Sequence, residues 1–186
     1  MKSILKSIFL FCVLAVSLTS CETYSDPKVE NSPIYPLSGE WRVRITNLTT
    51  GVMVSTTAMY TLGTFNTSDN VANQMWVRAT SAIPTFITTG TTPKTVLSKI
   101  TCDVPSLTFS TTGVVQNINT TTAAVLDTIA ITEGKITLNS VVMPSGVSSD
   151  RISFKLTKTK AAGNTFFVEG YRRTRWAEDE TFITFK

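Results

Sequence analysis

The chain has 186 residues, with 17 Lys and Arg against 13 Asp and Glu, a net charge of +4, and no histidine. Without an imidazole, the Ser-His-Asp and Cys-His routes to hydrolysis are closed and the commonest zinc ligand is missing. No GxSxG turn, P-loop or Gly-rich dinucleotide turn occurs and no basic block stands uncompensated, so neither a cofactor, a metal nor a nucleic-acid partner is expected.

The N-terminus reads MKSILKSIFLFCVLAVSLTSC. Lys2 and Lys6 precede an apolar run from Ile8 to Leu18, too short for a spanning helix, which needs about 20 residues. This is the layout of a secretory signal peptide. Its end, Leu18-Thr19-Ser20-Cys21, resembles the lipobox of bacterial lipoproteins. That resemblance implies cleavage before Cys21 and a diacylglycerol on its thiol. The membrane is then a partner, through two or more acyl chains that make the anchor effectively permanent. Glu22 stands where lipoproteins retained at the inner membrane often carry aspartate, which implies the outer membrane and leaves open which face. Residues 1–20 are thus expected to be removed, residues 21–36 to form a lipidated cysteine and flexible linker, and residues 37–186 to fold. Three prolines between Glu22 and Pro36 favour a tether over an edge strand. Loss of Lys2 and Lys6 brings the mature chain closer to neutrality.

From Leu37 the hydrophobic period is two. Trp41, Val43 and Ile45 alternate with Arg42 and Arg44. Val52, Val54, Thr56, Ala58, Tyr60 and Leu62 share a face. Short runs follow around Trp76, over Thr95–Val104 and at Leu107–Ser110. Ile129 and Ile131 are separated from Ile136 and Leu138 by an expected turn at Glu133-Gly134. Ile152, Phe154 and Leu156 alternate with Arg151, Ser153 and Lys155, and NTFFVEGYRRT and TFITF close the chain. Many short alternating runs broken by Gly, Pro, Asn and Ser clusters indicate an all-β sandwich or barrel. About eight such runs suit a small up-and-down barrel, whose interior holds packed side chains or one small ligand. With Cys12 in the leader and Cys21 lipidated, Cys102 has no disulfide partner. It shares a strand face with Val96 and Ile100, as a small buried hydrophobe would.

The opening LSGEW, Leu37–Trp41, resembles the G-x-W of the first lipocalin strand, which implies a tryptophan plugging the closed end beneath an arginine from the last strands. Wider segments, TFNTSDNVANQMWV, LTFS, IAITEGKITLNSVVMPSGVSSDRISFKL and VEGYRRTRWAEDE, resemble the bacterial lipoprotein family of lipid-binding putative hydrolases over residues 37–186. Pro144-Ser145-Gly146 and Asp150-Arg151-Ile152 look like its P-S-G…D-S-I segment, with Arg151 in place of the usual serine. Gly170–Thr174 looks like its terminal signature, with Arg175 where glycine is common. The resemblance implies a single antiparallel, lipocalin-like β-barrel of about eight strands behind a lipid anchor.

GYRRTRWAEDE, Gly170–Glu180, is the densest cluster of capable groups. Strand parity turns Arg172 inward with Phe166 and Val168, towards Trp41. It turns Arg173 and Arg175 outward, to pair with Glu169 or with Glu178-Asp179-Glu180. The segment therefore reads as a structural clasp with a charged surface. Tyr60, Met75, Trp76, Phe86, Phe109, Phe154 and Phe166 are the candidate lining of a ligand site at the barrel mouth, and they equally suit a filled core. The expected function is a membrane-anchored lipoprotein that binds a small apolar or amphipathic molecule, lipid included. The alternative is a structural, partner-binding or glycan-binding envelope lipoprotein with a filled barrel. A hydrolase finds no support in the residues.

Overall fold

The computed structural model describes residues 30–79, 96–119, 125–159, 162–181, 183 and 185. The leader, Cys21 and Phe86 lie outside them. Ten strands follow in chain order: β1 Gly39–Asn47, β2 Val52–Met53, β3 Tyr60–Asn66, β4 Gln74–Ala79, β5 Val96–Asp103, β6 Thr108–Ser110, β7 Val115–Asn119, β8 Val125–Val142, β9 Ser148–Lys158 and β10 Thr165–Arg172. Two short 3-10 turns, Tyr35–Leu37 and Ala177–Glu180, flank them. All pairings are antiparallel.

The wall runs β1-β3-β4-β5, then β6 and β7 together, then β8-β9-β10, and β10 returns to β1. Both β6 and β7 bridge β5 to β8, so they share one position and the closed barrel has eight. At the seam Trp41 faces Arg172, Val43 faces Gly170 and Ile45 faces Val168. Closure leaves the barrel wall without the open edge that is the weakness of a sheet; the two-residue β2 pairs with β1 alone. The expected all-β, eight-position antiparallel barrel is what forms.

Alternation in the sequence becomes inside and outside in the wall. Trp41, Val43, Ile45, Leu62, Met75, Ile131, Ile152, Phe154, Leu156 and Val168 are all essentially inaccessible and form one continuous core. Two expectations differ locally. The expected run from Val52 to Leu62 breaks after Met53, because Ser55 Oγ accepts the N–H groups of Thr57 (3.3 Å) and Ala58 (3.0 Å) and makes a local turn. Val52 is accordingly exposed. Glu133-Gly134 is no turn. It is a bulge inside the 18-residue β8, with Glu133 at φ +54° and a register shift between Thr132 and Lys135. The extra residue flips parity, so Ile129 and Ile131 point inward before it and Ile136 after it. Gly134 is required by packing: a Cβ there would lie 2.2 Å from the Phe109 carbonyl oxygen.

The packed unit also starts before Leu37. It begins at Asn31, and Ile34 and Leu37 are fully buried. The residues just before Trp41 cover its ring instead of continuing the tether.

Candidate functional site

The arginine-rich C-terminal segment and the P-S-G turn meet at one end of the barrel. The Arg172 guanidinium lies 4.7 Å from the Trp41 ring centroid. Its Nη2 donates to the Pro36 carbonyl at 3.0 Å, its Nη1 to the Ser38 carbonyl, and its Nε to Asp150 Oδ2 at 2.8 Å. Trp41 Nε1 donates to Thr64 Oγ1 at 2.8 Å, and that hydroxyl donates to the Leu37 carbonyl at 2.6 Å. Every polar group that the tryptophan and arginine bring into the barrel end is thus occupied, as burial demands. The stacking contributes roughly 0.5–2 kcal/mol beyond the hydrogen bonds.

Outside this plug, Arg173 bridges Glu40 (2.5 Å) and Glu180, and Arg175 reaches Glu40 at 3.7 Å. Of the two partners the sequence offers Arg173 and Arg175, the acidic cluster serves Arg173 through Glu180, and Glu169 serves neither. Instead it takes Arg44 (2.6 Å) and Arg151 (2.7 Å); it is buried with Arg44, while Arg151 stays half-buried. The reason is the chain's end: Phe185 lies 4.9 Å from the Arg44 guanidinium and 5.3 Å from that of Arg151, and it covers this outer face. Tyr171, on the same face, is fully buried with Met59 and Met143 and donates to the Asp179 carbonyl. Burial pushes its phenol above the ordinary value.

Asp179 is the carboxylate in this region that hydroxyl groups contact as they would in a catalytic pair. Ser145 donates to Asp179 through Oγ (2.8 Å) and backbone N–H (2.9 Å), and Thr174 Oγ1 donates at 2.6 Å. Burial alone would raise the Asp179 carboxyl, but the hydrogen bonds from Thr174 and Ser145 outweigh it and hold the group below the ordinary aspartate value. A carboxylate so fully engaged is a poor base. It ties the Pro144-Ser145-Gly146 turn to the C-terminal 3-10 turn. A carboxyl lowered in the folded state stabilises above its unfolded pKa and loses that contribution as pH falls through the folded one. Asp179→Asn should therefore lower the melting temperature by a constant amount from pH 7 to pH 5. The gap to the wild type should narrow below about pH 4. A gap that widens on acidification contradicts this role.

Cys102 is buried and donates to the Ala72 carbonyl at 3.5 Å. Burial, with Asp103 beside it, pushes its thiol up to about 11, so at neutral pH it is protonated and unreactive. Among the described residues no group of three or more His, Cys, Asp or Glu is placed to hold a metal.

The opposite end of the barrel is built differently. Four inward-facing polar side chains ring it: Ser98 on β5, Asn117 on β7, Asp127 on β8 and Lys158 on β9, at 1, 1, 6 and 9% exposure. Asn117 pairs with Asp127, and Lys158 sits opposite Ile129, two residues along from Asp127. Ser98 Oγ donates to Asn117 Oδ1 at 3.1 Å, Asp127 Oδ1 accepts the Thr128 N–H at 2.8 Å, and Asp127 and Lys158 make further interactions. The signal for this quartet is in the sequence. Lys158 continues the inward series Ile152-Phe154-Leu156, and Asp127 opens the series Ile129-Ile131. Polar residues on a core parity mark groups kept inside at a desolvation cost.

The seven aromatic and sulfur candidates separate. Met75, Phe109 and Phe154 are buried in the half nearer the Trp41 plug, where Phe109 and Phe154 pack edge to face at 5.6 Å. Phe166 is buried and Tyr60 half-buried nearer the polar quartet. Trp76 faces outward, with Lys99 Nζ 5.6 Å from its ring, and Phe86 lies outside the described residues.

The structure is a closed antiparallel barrel, plugged by a Trp–Arg clasp at one end and carrying four buried polar side chains towards the other, an architecture that fits a lipid-binding protein. The chain belongs to the family described as lipid-binding putative hydrolase, whose model it matches over residues 26–177. No curated protein matches it.

Proposed function

We propose that the protein binds one amphipathic small molecule, a lipid, at the barrel end opposite the Trp41 plug. Its polar head lies against Ser98, Asn117, Asp127 and Lys158, and its apolar part beside Tyr60 and Phe166. The observation that carries this reading is the quartet itself, four hydrogen-bonding side chains buried together away from the Trp41–Arg172–Thr64 plug. Interiors retain such groups where they are satisfied or where they orient a ligand. The half already filled by Trp41, Met75, Phe109 and Phe154 limits the ligand to the other half. Lipidation of Cys21 tethers the protein to the outer membrane of a bacterial envelope, on the strength of the leader and its lipobox-like end.

Titration with oleate and with a lysophospholipid tests the binding reading. Saturable amide shifts centred on Ser98, Asn117 and Asp127, weakened about tenfold or more by Lys158→Met, support it. Shifts absent from that end, with both probes at millimolar concentration, count against it. For the anchor, intact mass of the membrane-fraction protein should show diacylglycerol and acyl additions on Cys21, and Cys21→Ser should release the chain from membranes.

The alternative, a partner-binding or structural lipoprotein, draws on the solid packing of the plugged half. It predicts no ligand in the barrel and an unchanged amide spectrum with either probe.

A further inference from the structure

Gly63 lies in the middle of β3, where nothing in the fold asks for glycine. Its φ is not in the left-handed region, and an added Cβ would meet nothing nearer than the Arg78 carbonyl oxygen at 3.8 Å, an ordinary contact. Glycine weakens a strand interior and marks places where another group approaches closely. What its bare backbone leaves is a groove of about 330 Å³ across the outer face of β1, β3 and β4, bordered by Glu40, Thr61, Phe65 and Arg78.

Arg78 is unlike the other arginines. Arg42, Arg44, Arg151, Arg172, Arg173 and Arg175 each have a carboxylate within 4.0 Å. Among the described residues Arg78 has none; it is exposed, with its guanidinium 5.1 Å from the Phe65 ring. Its fork is thus held over an aromatic surface with no carboxylate partner among the described residues, the arrangement that suits bidentate recognition of a carboxylate. Across the groove, Glu40 is already neutralised by Arg173 and Arg175, so it offers hydrogen-bond acceptance without an unopposed charge. Glu40, Gly63 and Arg78 are consecutive across the strands. Glu40 and Arg78 therefore stand roughly 10 Å apart at their Cα atoms, two strand spacings. That span fits one sugar ring hydrogen-bonded at both edges.

We propose that this outer-face groove is a second binding site, for a carboxylate-bearing saccharide such as a uronic-acid unit. The acid group lies in the Arg78 fork, the ring's C–H face rests on Gly63 and Phe65, and ring hydroxyls meet Thr61 and Glu40. The site is independent of the barrel interior.

The test uses the full-length protein with its natural processing, titrated with a galacturonic acid disaccharide, the matching galactose disaccharide and inorganic phosphate. The acidic disaccharide should shift the amides of Gly63, Phe65 and Arg78 saturably, with the neutral sugar and phosphate at least tenfold weaker. Gly63→Val puts a branched side chain into the groove from a Cβ that itself meets only an ordinary contact, and should reduce binding at least tenfold at an unchanged melting temperature. Arg78→Ala, an exposed substitution that leaves the wall intact, should do the same and keeps the test standing whatever Gly63→Val does to folding. No shift at these amides, equal response to phosphate, or full-strength binding by a folded Gly63→Val or Arg78→Ala variant overturns the proposal.

Discussion

Gly170→Ala should open the barrel at its seam. A Cβ on Gly170 would lie 2.2 Å from the Arg42 carbonyl oxygen, 2.6 Å from Val43 Cγ1 and 2.8 Å from Val43 Cα. Two of those atoms are backbone, so the clash cannot be relieved by a rotamer change. The β10–β1 pairing that closes the ring must separate at the Val43–Gly170 step. Overpacking of this kind costs about 3 kcal/mol or more. For a domain of this size that lowers the melting temperature by roughly 6–12 °C. Gly63→Ala is the matched control in the same wall, since its Cβ meets only open space and an ordinary contact. It should be neutral or slightly stabilising. Thermal or urea unfolding of the two variants side by side checks the claim, and equal stability would show that the seam is not where the barrel is tight.

Glu169→Ala should be nearly as damaging, for an electrostatic reason. Its carboxylate joins Arg44 and Arg151 beneath Phe185. The Arg44 and Glu169 side chains are 9 and 8% exposed, so removing the carboxylate strands a desolvated guanidinium. Breaking a buried ion pair from one side costs roughly 3–5 kcal/mol. Arg151 is 33% exposed and can rehydrate, which favours the lower end of that range. Replacing both partners at once, Arg44→Met with Glu169→Leu, should recover much of the loss, because the penalty belongs to the unpaired charge. If the single variant unfolds at the wild-type urea concentration, the cluster is a surface ornament and the C-terminal segment does not seal it.

The clasp was legible because each of its parts is local in sequence. G-x-W opens a strand, the parity of Phe166, Val168 and Gly170 aims Arg172 inward, and closing the barrel brings the chain's two ends together. The partner of Glu169 was not legible. Parity placed it outward correctly, but outward is not exposed once Ile183 and Phe185 fold back across that face, and no periodicity announces such a cover. The Glu133-Gly134 bulge misread as a turn shows the same limit: glycine for close packing against Phe109 and glycine for a reversal look alike in one dimension. The polar quartet was readable and passed over. Asp127 stands near the start of a strand and lysine most often faces water, so neither announces an inward side chain by its type. Trp76 went the other way, since its size suggested a pocket while Met75 and Val77 took the inward parity.

Native mass spectrometry of residues 22–186, purified without detergent and then exposed to cell-envelope lipid extract, tests the central claim most directly. Binding in the barrel predicts a stoichiometric adduct of lipid mass that survives gentle desolvation, disappears on denaturation and is diminished in Lys158→Met. A bare protein mass under both conditions, from a chain that melts cooperatively, would contradict a lipid-binding barrel.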